Sequence, residues 1–361
     1  MAKIIINESF LDKKLTGIPR LSYEISNRLL HYKNVCLLTT NKDNHSLKNK
    51  TLSLPKRNYH NKAINLYDKQ IFINNSDRND ILLHLGSMLP VKKNNMYVTI
   101  CDMSVFDHPE WFKTSFIWQN KIIIPKIVKY AKKIFTISEF SKGQIIKHLQ
   151  IEDKNIIVFP CGVSEIFSIK SEQSIKIIKY KYNLPSNYIL FLASLEPRKN
   201  LNNLLKAWNS INEDKRKNHA LVIAGSKGDV FADQNKNTLK TESDIIFTGY
   251  IDEEELPALY SGAKGFIYPS FYEGFGMPPL EAMACGTPTI VSETTSLPEV
   301  VGNASLFINP YDVKTIMDAI HIIINDKNKR AELSKKGILQ SKKFNWDNAA
   351  NKIYNTITDN N

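Results

Sequence analysis

Residues 272–286, YEGFGMPPLEAMACG, place two carboxylates, Glu273 and Glu281, eight positions apart with Pro278 and Pro279 between them. Proline fits the first turn of a helix and disrupts its interior. A helix therefore starts at the prolines and carries Glu281, while Glu273 stands in the loop before it. A second constellation, Glu196-Pro197-Arg198-Lys199-Asn200, sets two adjacent cations at a helix start. Such a pair suits a diphosphate, and it is also what an ordinary solvated, basic helix start looks like. In a third stretch, TGIPR at 16–20, Gly17 permits close backbone approach by a ligand.

Strands and helices must hold these residues in place. Upstream of Glu273, GFIYPS reads as a buried strand, and downstream Gly286 stops the helix before a second apolar strand, TPTIVS. The two halves of the chain each alternate strand-like runs (KIIIN, VCLLTT, DILLHLG, MYVTICD, KIFTIS, NIIVFPCG; then YILFLASL, HALVIAG, DIIFTGY) with helical periodicities. This alternation belongs to parallel sheets flanked by helices, whose ligands sit beyond the carboxyl ends of the strands. The expectation is an α/β fold of two Rossmann-like domains, at 1–170 and 186–345, with the polar segment between them as a linker and 346–361 as a C-terminal helix returning to the N-terminal domain.

A length of 361 residues suffices for two cores, and 42% hydrophobic with 23% charged residues is ordinary for a globular chain. The start, MAKIIINESF, reads as a first strand and not as a signal peptide, and no apolar stretch is long enough to span a membrane. Cys36, Cys101, Cys161 and Cys285 are widely spaced and form no Cys-x-x-Cys pair, which argues against a disulfide framework or structural zinc and for a reducing cytoplasm. A net charge of +12 suits an anionic partner without choosing among nucleic acid, nucleotide phosphates and anionic lipid, and most of it reads as solvated surface. The lysines are scattered and follow no aromatic nucleic-acid motif, so no nucleic-acid partner is expected. Phosphate-loop, Gly-x-Gly-x-x-Gly, Gly-x-Ser-x-Gly and His-Glu-x-x-His signatures are all absent.

Taken together, LEPRKN at 195–200, Glu273-x7-Glu281, LPEVVGNA at 297–304, FTISEFSK at 135–142 and HPEWF at 108–112 resemble the family 4 retaining glycosyltransferases of the GT-B fold. The resemblance covers nearly the whole chain and extends to the branch of bacterial O-antigen and capsule mannosyl- and rhamnosyltransferases. It implies an active site in the cleft between the two domains, the N-terminal one for the acceptor and the C-terminal one for the nucleotide sugar, and a sugar donor activated by a nucleoside diphosphate, GDP-mannose before other GDP, UDP or dTDP sugars. It also implies a saccharide or lipid-linked saccharide acceptor. Residues carried over from the family take these roles: Glu273 on the donor sugar, Glu281 on the ribose hydroxyls, Arg198 and Lys199 on the departing diphosphate, and Gly17 on the phosphates from the other domain. Backbone around Phe275, Gly276, Met277, Pro278 and Leu280 cradles sugar and phosphate oxygens, and Tyr250 lies near the base. Sugar transferases of the other main architecture hold a divalent cation with Asp-x-Asp; that pair is missing here, so no metal and no cofactor are expected.

The chain departs from the family at Cys101-Asp102, where His-Asp is common. Cys101 reads as a small buried thiol, Asp102 as an acceptor-side carboxylate, and His84 as structural. Residues 111–133 mix aromatic side chains with lysines and fit either an interfacial surface on anionic membrane or a packed helix with a wet face. The rival functions are a GT-B nucleotide-sugar epimerase, a phosphorylase, and a non-catalytic basic module binding nucleic acid or lipid.

Overall fold

The computed structural model describes residues 2–7, 17–39, 51–53, 62–86, 91–216, 218–225 and 243–359. The chain divides into two compact units, each built on its own parallel sheet. The first comprises Met1–Asp107, Thr114–Cys161 and Trp346–Asn361, and the second His108–Lys113 and Gly162–Asn345.

In the first unit the elements run β1 (Ile4–Asn7), α1 (Ile18–Leu29), β2 (Val35–Thr39), β3 (Thr51–Ser53), α2 (Lys62–Asn74), β4 (Ile81–His84), β5 (Met96–Thr99), α3 (Ser104–Asp107), α4 (Thr114–Val128), β6 (Ala131–Thr136), α5 (Glu139–Leu149) and β7 (Ile156–Val158). The strand order is β3-β2-β1-β4-β5-β6-β7, all parallel. Strands covered by helices on both faces are largely apolar, and IIIN and ILLH are wholly buried, their terminal Asn7 and His84 bonded to each other. Ile5, Leu82, Val98 and Ile134 are central to this core.

The second unit contains α6 (Glu172–Lys181), β8 (Tyr188–Leu192), α7 (Leu201–Ser210), α8 (Glu213–Arg216), β9 (Ala220–Ala224), β10 (Ile245–Gly249), α9 (Leu256–Ser261), β11 (Gly265–Tyr268), α10 (Met277–Ala284), β12 (Thr289–Ser292), α11 (Leu297–Val301), β13 (Ser305–Ile308), α12 (Val313–Asn325) and α13 (Lys327–Ser341). Its parallel sheet has the order β10-β9-β8-β11-β12-β13, so the winding reverses between β8 and β11. Loops that leave the carboxyl ends of the two strands at such a switch point diverge and open a ligand crevice. The loop after β8 carries Arg198 and Lys199, and the loop after β11 carries Glu273.

The expectation of a linker after residue 170 is corrected: this stretch contains α6, a helix of the second unit. Ser171 caps it by accepting from the Ser174 amide, Ile178 is buried, and Lys181 and Tyr182 both bond Glu255 at the start of α9. Only a narrow apolar stripe faces inward, so the segment looks like polar linker in sequence. The last helix, α14 (Trp346–Asp359), packs on α1 in the first unit. Arg28 Nε meets Asp347 at 2.6 Å, and the Tyr32 and Tyr354 rings stack at 3.6 Å.

Candidate active site

β8 delivers the chain to a single tight turn, Pro197–Lys199, and Asn200 then adopts a left-handed conformation (φ 61°) that asparagine tolerates better than most residues. The Asn200 side chain donates to Pro269 O at 2.9 Å and Pro310 O at 2.7 Å. It thereby ties together the segments that follow β8, β11 and β13. The Phe271 amide donates to Arg198 O at 2.8 Å, a second tie between the two loops at the switch point.

Four charged side chains meet there. Lys199 Nζ donates to Glu273 Oε1 at 2.6 Å and to the Tyr268 hydroxyl at 2.7 Å. Arg198 Nε donates to Glu196 Oε1 at 2.8 Å, and its Nη1 lies 3.5 Å from Glu273 Oε2. Lys199 also lies 3.8 Å from Glu196. Burial works to raise the Glu273 carboxyl, but Lys199 and then Arg198 outweigh it and hold the group below the ordinary carboxylate range. Burial and then the charge of Arg198 press the Lys199 ammonium below its usual value, against the pull of Glu273 and Glu196. The Tyr268 hydroxyl is pushed well up by burial and by Glu273, so it stays protonated. The two cations are balanced by two carboxylates, and this charge-assisted network fixes where the cations point.

The Glu273 loop is held from outside as well. Ser296 Oγ donates to the carbonyls of Glu273 and Phe275, both at 2.9 Å, and the Glu273 amide donates to Thr295 Oγ1 at 3.2 Å. Gly276 precedes α10 at φ 114°, a conformation L side chains rarely adopt, and a Cβ there would stand 2.6 Å from Leu297 Cδ2, so another residue would strain the backbone and push the Leu297 side chain aside. Met277 and Pro278 follow at the helix start. Phe275 and Leu280 point their side chains into the core, so what they can offer a ligand is backbone; Pro278 has no N–H to offer and contributes its fixed φ. Glu281 stands one turn into α10 and accepts from the Tyr260 hydroxyl at 3.1 Å. Tyr250 follows β10 and is 39% exposed.

Two of the residues expected at the site lie in the first unit. Gly17 precedes α1 at φ 54° with open space where a Cβ would be. Asp102 Oδ1 accepts from the amide and the hydroxyl of Ser104, the first residue of α3, and so closes a local turn. Cys101 is buried, and its thiol is pushed up to about 12 by burial and then by Asp102. A thiol so hard to ionise is a poor nucleophile. His84 is buried between Asn7 Nδ2 and Val91 O, each at 3.2 Å. Because Asn7 uses its carbonyl oxygen to accept from Lys69 at 3.2 Å, its amide donates to His84 Nδ1, and the ring is a structural bridge.

Sequence reasoning missed Glu196, Tyr268, Thr295 and Ser296. Glu196 lies inside LEPRKN, and a carboxylate two residues before an arginine was the available signal. Ser296 and Tyr268 carried no signal, because their partners are distant in sequence. Among the described residues no group of three His, Cys, Asp or Glu side chains is placed to hold a metal ion.

Residues 173–340 match the family model described as "Glycosyl transferases group 1". The chain is 34% identical over 283 residues to the O-antigen chain mannosyltransferase B of Escherichia coli, covering 77% of this chain and 74% of that protein. It is 36% identical over 229 residues to the serotype-specific mannosyltransferase WbdA of Escherichia coli, covering 61% of this chain and only 28% of that longer protein. Among solved structures, sucrose-phosphate synthase from Thermosynechococcus elongatus superposes with a TM-score of 0.76 at 18% identity over the full length of both chains, a likeness of fold. With its two parallel-sheet units and the charge cluster at the β8/β11 switch point, the chain belongs to the group 1 glycosyltransferases of GT-B fold.

Proposed function

We propose that this glycosyltransferase moves mannose from a nucleoside-diphosphate donor, with GDP-mannose as the first candidate, to a saccharide or lipid-linked saccharide acceptor. The acceptor is a growing cell-surface polysaccharide such as O-antigen or capsule, and the transfer retains anomeric configuration and uses no metal or other cofactor. The observation that carries the reading is the paired cations Arg198 and Lys199, held by Glu196 and Glu273 beyond the switch-point strands. The mannosyltransferases of Escherichia coli to which the chain is similar support the sugar.

As the bond between the anomeric carbon and the diphosphate breaks, negative charge grows on the leaving oxygen. Arg198 and Lys199 meet that charge in positions already fixed, so little reorganisation is needed. In a retaining transfer the departing phosphate oxygen lies on the same face as the incoming acceptor hydroxyl and takes its proton, so no separate general base is required. Backbone amides of Phe275, Gly276 and Met277 at the start of α10 complement the anionic donor. Glu281, oriented by Tyr260, suits a vicinal ribose diol, and a carboxylate is an acceptor matched to such a pair. Glu273 keeps lone pairs for the donor sugar while anchoring Lys199. Gly17 is assigned to the donor phosphates, Tyr250 to the base and Asp102 to the acceptor.

The same reading includes peripheral contact with the cytoplasmic face of an anionic membrane. Trp118 and Ile122, one turn apart on α4, are exposed, as are Lys121, Lys126 and Lys129. Apolar side chains ringed by lysines suit an anionic lipid surface. No helix among the described residues is long and apolar enough to cross a membrane.

A thermal-shift panel of GDP, UDP and dTDP sugars tests the donor, with GDP-mannose expected to stabilise most. Transfer is then assayed with EDTA. Stabilisation by no nucleotide sugar, or activity that stops with the chelator and returns with Mn²⁺, would overturn the reading.

A further inference from the structure

Beside the charge cluster, three separate segments of the second unit build a row of stacked rings. The His108 and Trp111 rings stack at 4.0 Å with 13° between planes, Trp111 and Phe271 at 6.4 Å with 22°, and Phe271 and Tyr311 at 4.9 Å with 28°. Tyr272, buried, stands edge-on to His108 and Trp111 and braces that end of the row. At the other end Tyr311 is 64% exposed: one face lies on Phe271 and the remainder of the ring meets solvent.

An exposed ring normally sits on a yielding surface, but this one does not. The Tyr311 amide donates to Asn309 Oδ1 at 3.0 Å, and the preceding Pro310 carbonyl accepts from both Asn200 and Asn203. Phe271 is bonded through its amide to Arg198 and lies two residues from Glu273. The rings and the cations therefore belong to one braced body. A rigid, partly exposed aromatic surface loses little entropy on binding and takes apolar ligand faces well. The Glu110 carboxylate, largely exposed beside His108 at 3.0 Å, supplies an acceptor for hydroxyl groups at the rim.

We propose that this ring row is the platform on which the saccharide acceptor lies, with the C–H face of a pyranose ring against Tyr311 and further sugar units along the row. The proposal rests on the glycosyltransferase reading and adds to it where the acceptor binds. Pyranoses have one face of C–H groups and a rim of hydroxyls, a pattern that flat rings flanked by a carboxylate recognise.

The test uses the full-length chain and its Tyr311→Ala and Tyr311→Phe variants. Trisaccharides of α-linked mannose, of glucose and of N-acetylglucosamine are titrated calorimetrically with GDP present. Loss of one stacked ring should weaken binding of at least one trisaccharide roughly three- to tenfold in Tyr311→Ala, with Tyr311→Phe near wild type. Melting temperature in Tyr311→Ala should fall by no more than the few degrees that one lost ring contact explains, while nucleotide-sugar stabilisation and hydrolysis of the donor by water should not change. Saccharide binding that ignores the ring, no binding of any trisaccharide by the wild type, or nucleotide affinity that falls with the ring would each overturn the platform. Failure of the wild type to bind or hydrolyse any nucleotide sugar would instead overturn the donor reading, which the saccharide titrations do not measure.

Discussion

Glu273→Gln removes one charge from a buried network, and the structure sets the size of the effect. The Lys199–Glu273 contact of 2.6 Å joins two side chains that are each 7% exposed. Removing one partner of a buried pair costs about 3 to 5 kcal/mol, because the other charge stays desolvated. Here Glu196, 3.8 Å from Lys199, still supplies a counter-charge, which places the expected loss at the lower end, about 3 kcal/mol. For a domain of 150–250 residues each kcal/mol shifts Tm by roughly 2 to 4 °C, so the second unit should melt about 6 to 12 °C lower. Calorimetry on wild type, Glu273→Gln, Lys199→Met and the double variant gives the coupling, and the double variant should recover much of the loss. The sign with pH follows from the depressed Glu273 carboxyl. Its contribution is fully present above the unfolded value of 4.5 and is lost as pH falls through the lower folded value. The gap between wild type and Glu273→Gln should therefore be widest near neutrality and close in acid. Additive effects of the two substitutions, or a gap that persists below the folded value, would refute the pairing.

Arg198→Ala should lower turnover about a hundredfold to a thousandfold, as loss of one preorganised donor to a developing anion does, with a smaller loss of donor affinity in the same kinetics. Glu281→Ala should weaken nucleotide binding and leave turnover at saturating donor little changed; unchanged affinity would remove it from the ribose. Cys101→Ser should keep most activity, since a thiol pushed up to about 12 is not the reacting group, and a thousandfold loss in a folded variant would contradict this. Joint neutralisation of Lys121, Lys126 and Lys129 should cut binding to anionic vesicles by orders of magnitude, at about 1 kcal/mol per lysine; equal binding would remove α4 from the membrane.

Much of the architecture was legible because its signals are local. Apolar runs such as KIIIN and YILFLASL are what parallel strands buried on both faces require. The prolines at 278–279 started α10 where expected and left Glu273 in the loop. Gly276, inside the motif, takes a positive φ that L side chains rarely adopt. Family membership was likewise legible, since LEPRKN and Glu273-x7-Glu281 are contiguous stretches of sequence.

What stayed hidden involves partners far apart in the chain. The segment after residue 170 lacks a broad apolar face, and only its docking through Ile178 and Glu255 shows α6 to be a packed helix. Strand, turn and helix signals act over a few residues, and they suffice to place the site residues at the carboxyl ends of the strands. How those residues pair with one another is set by the fold. The order of strands in the sheet brings Lys199 onto Glu273 across 74 positions and lets Asn200 reach across 110 positions to Pro310, the residue before Tyr311. Pairings of that kind depend on how strands are ordered in the sheet, and no local pattern of side chains encodes that order.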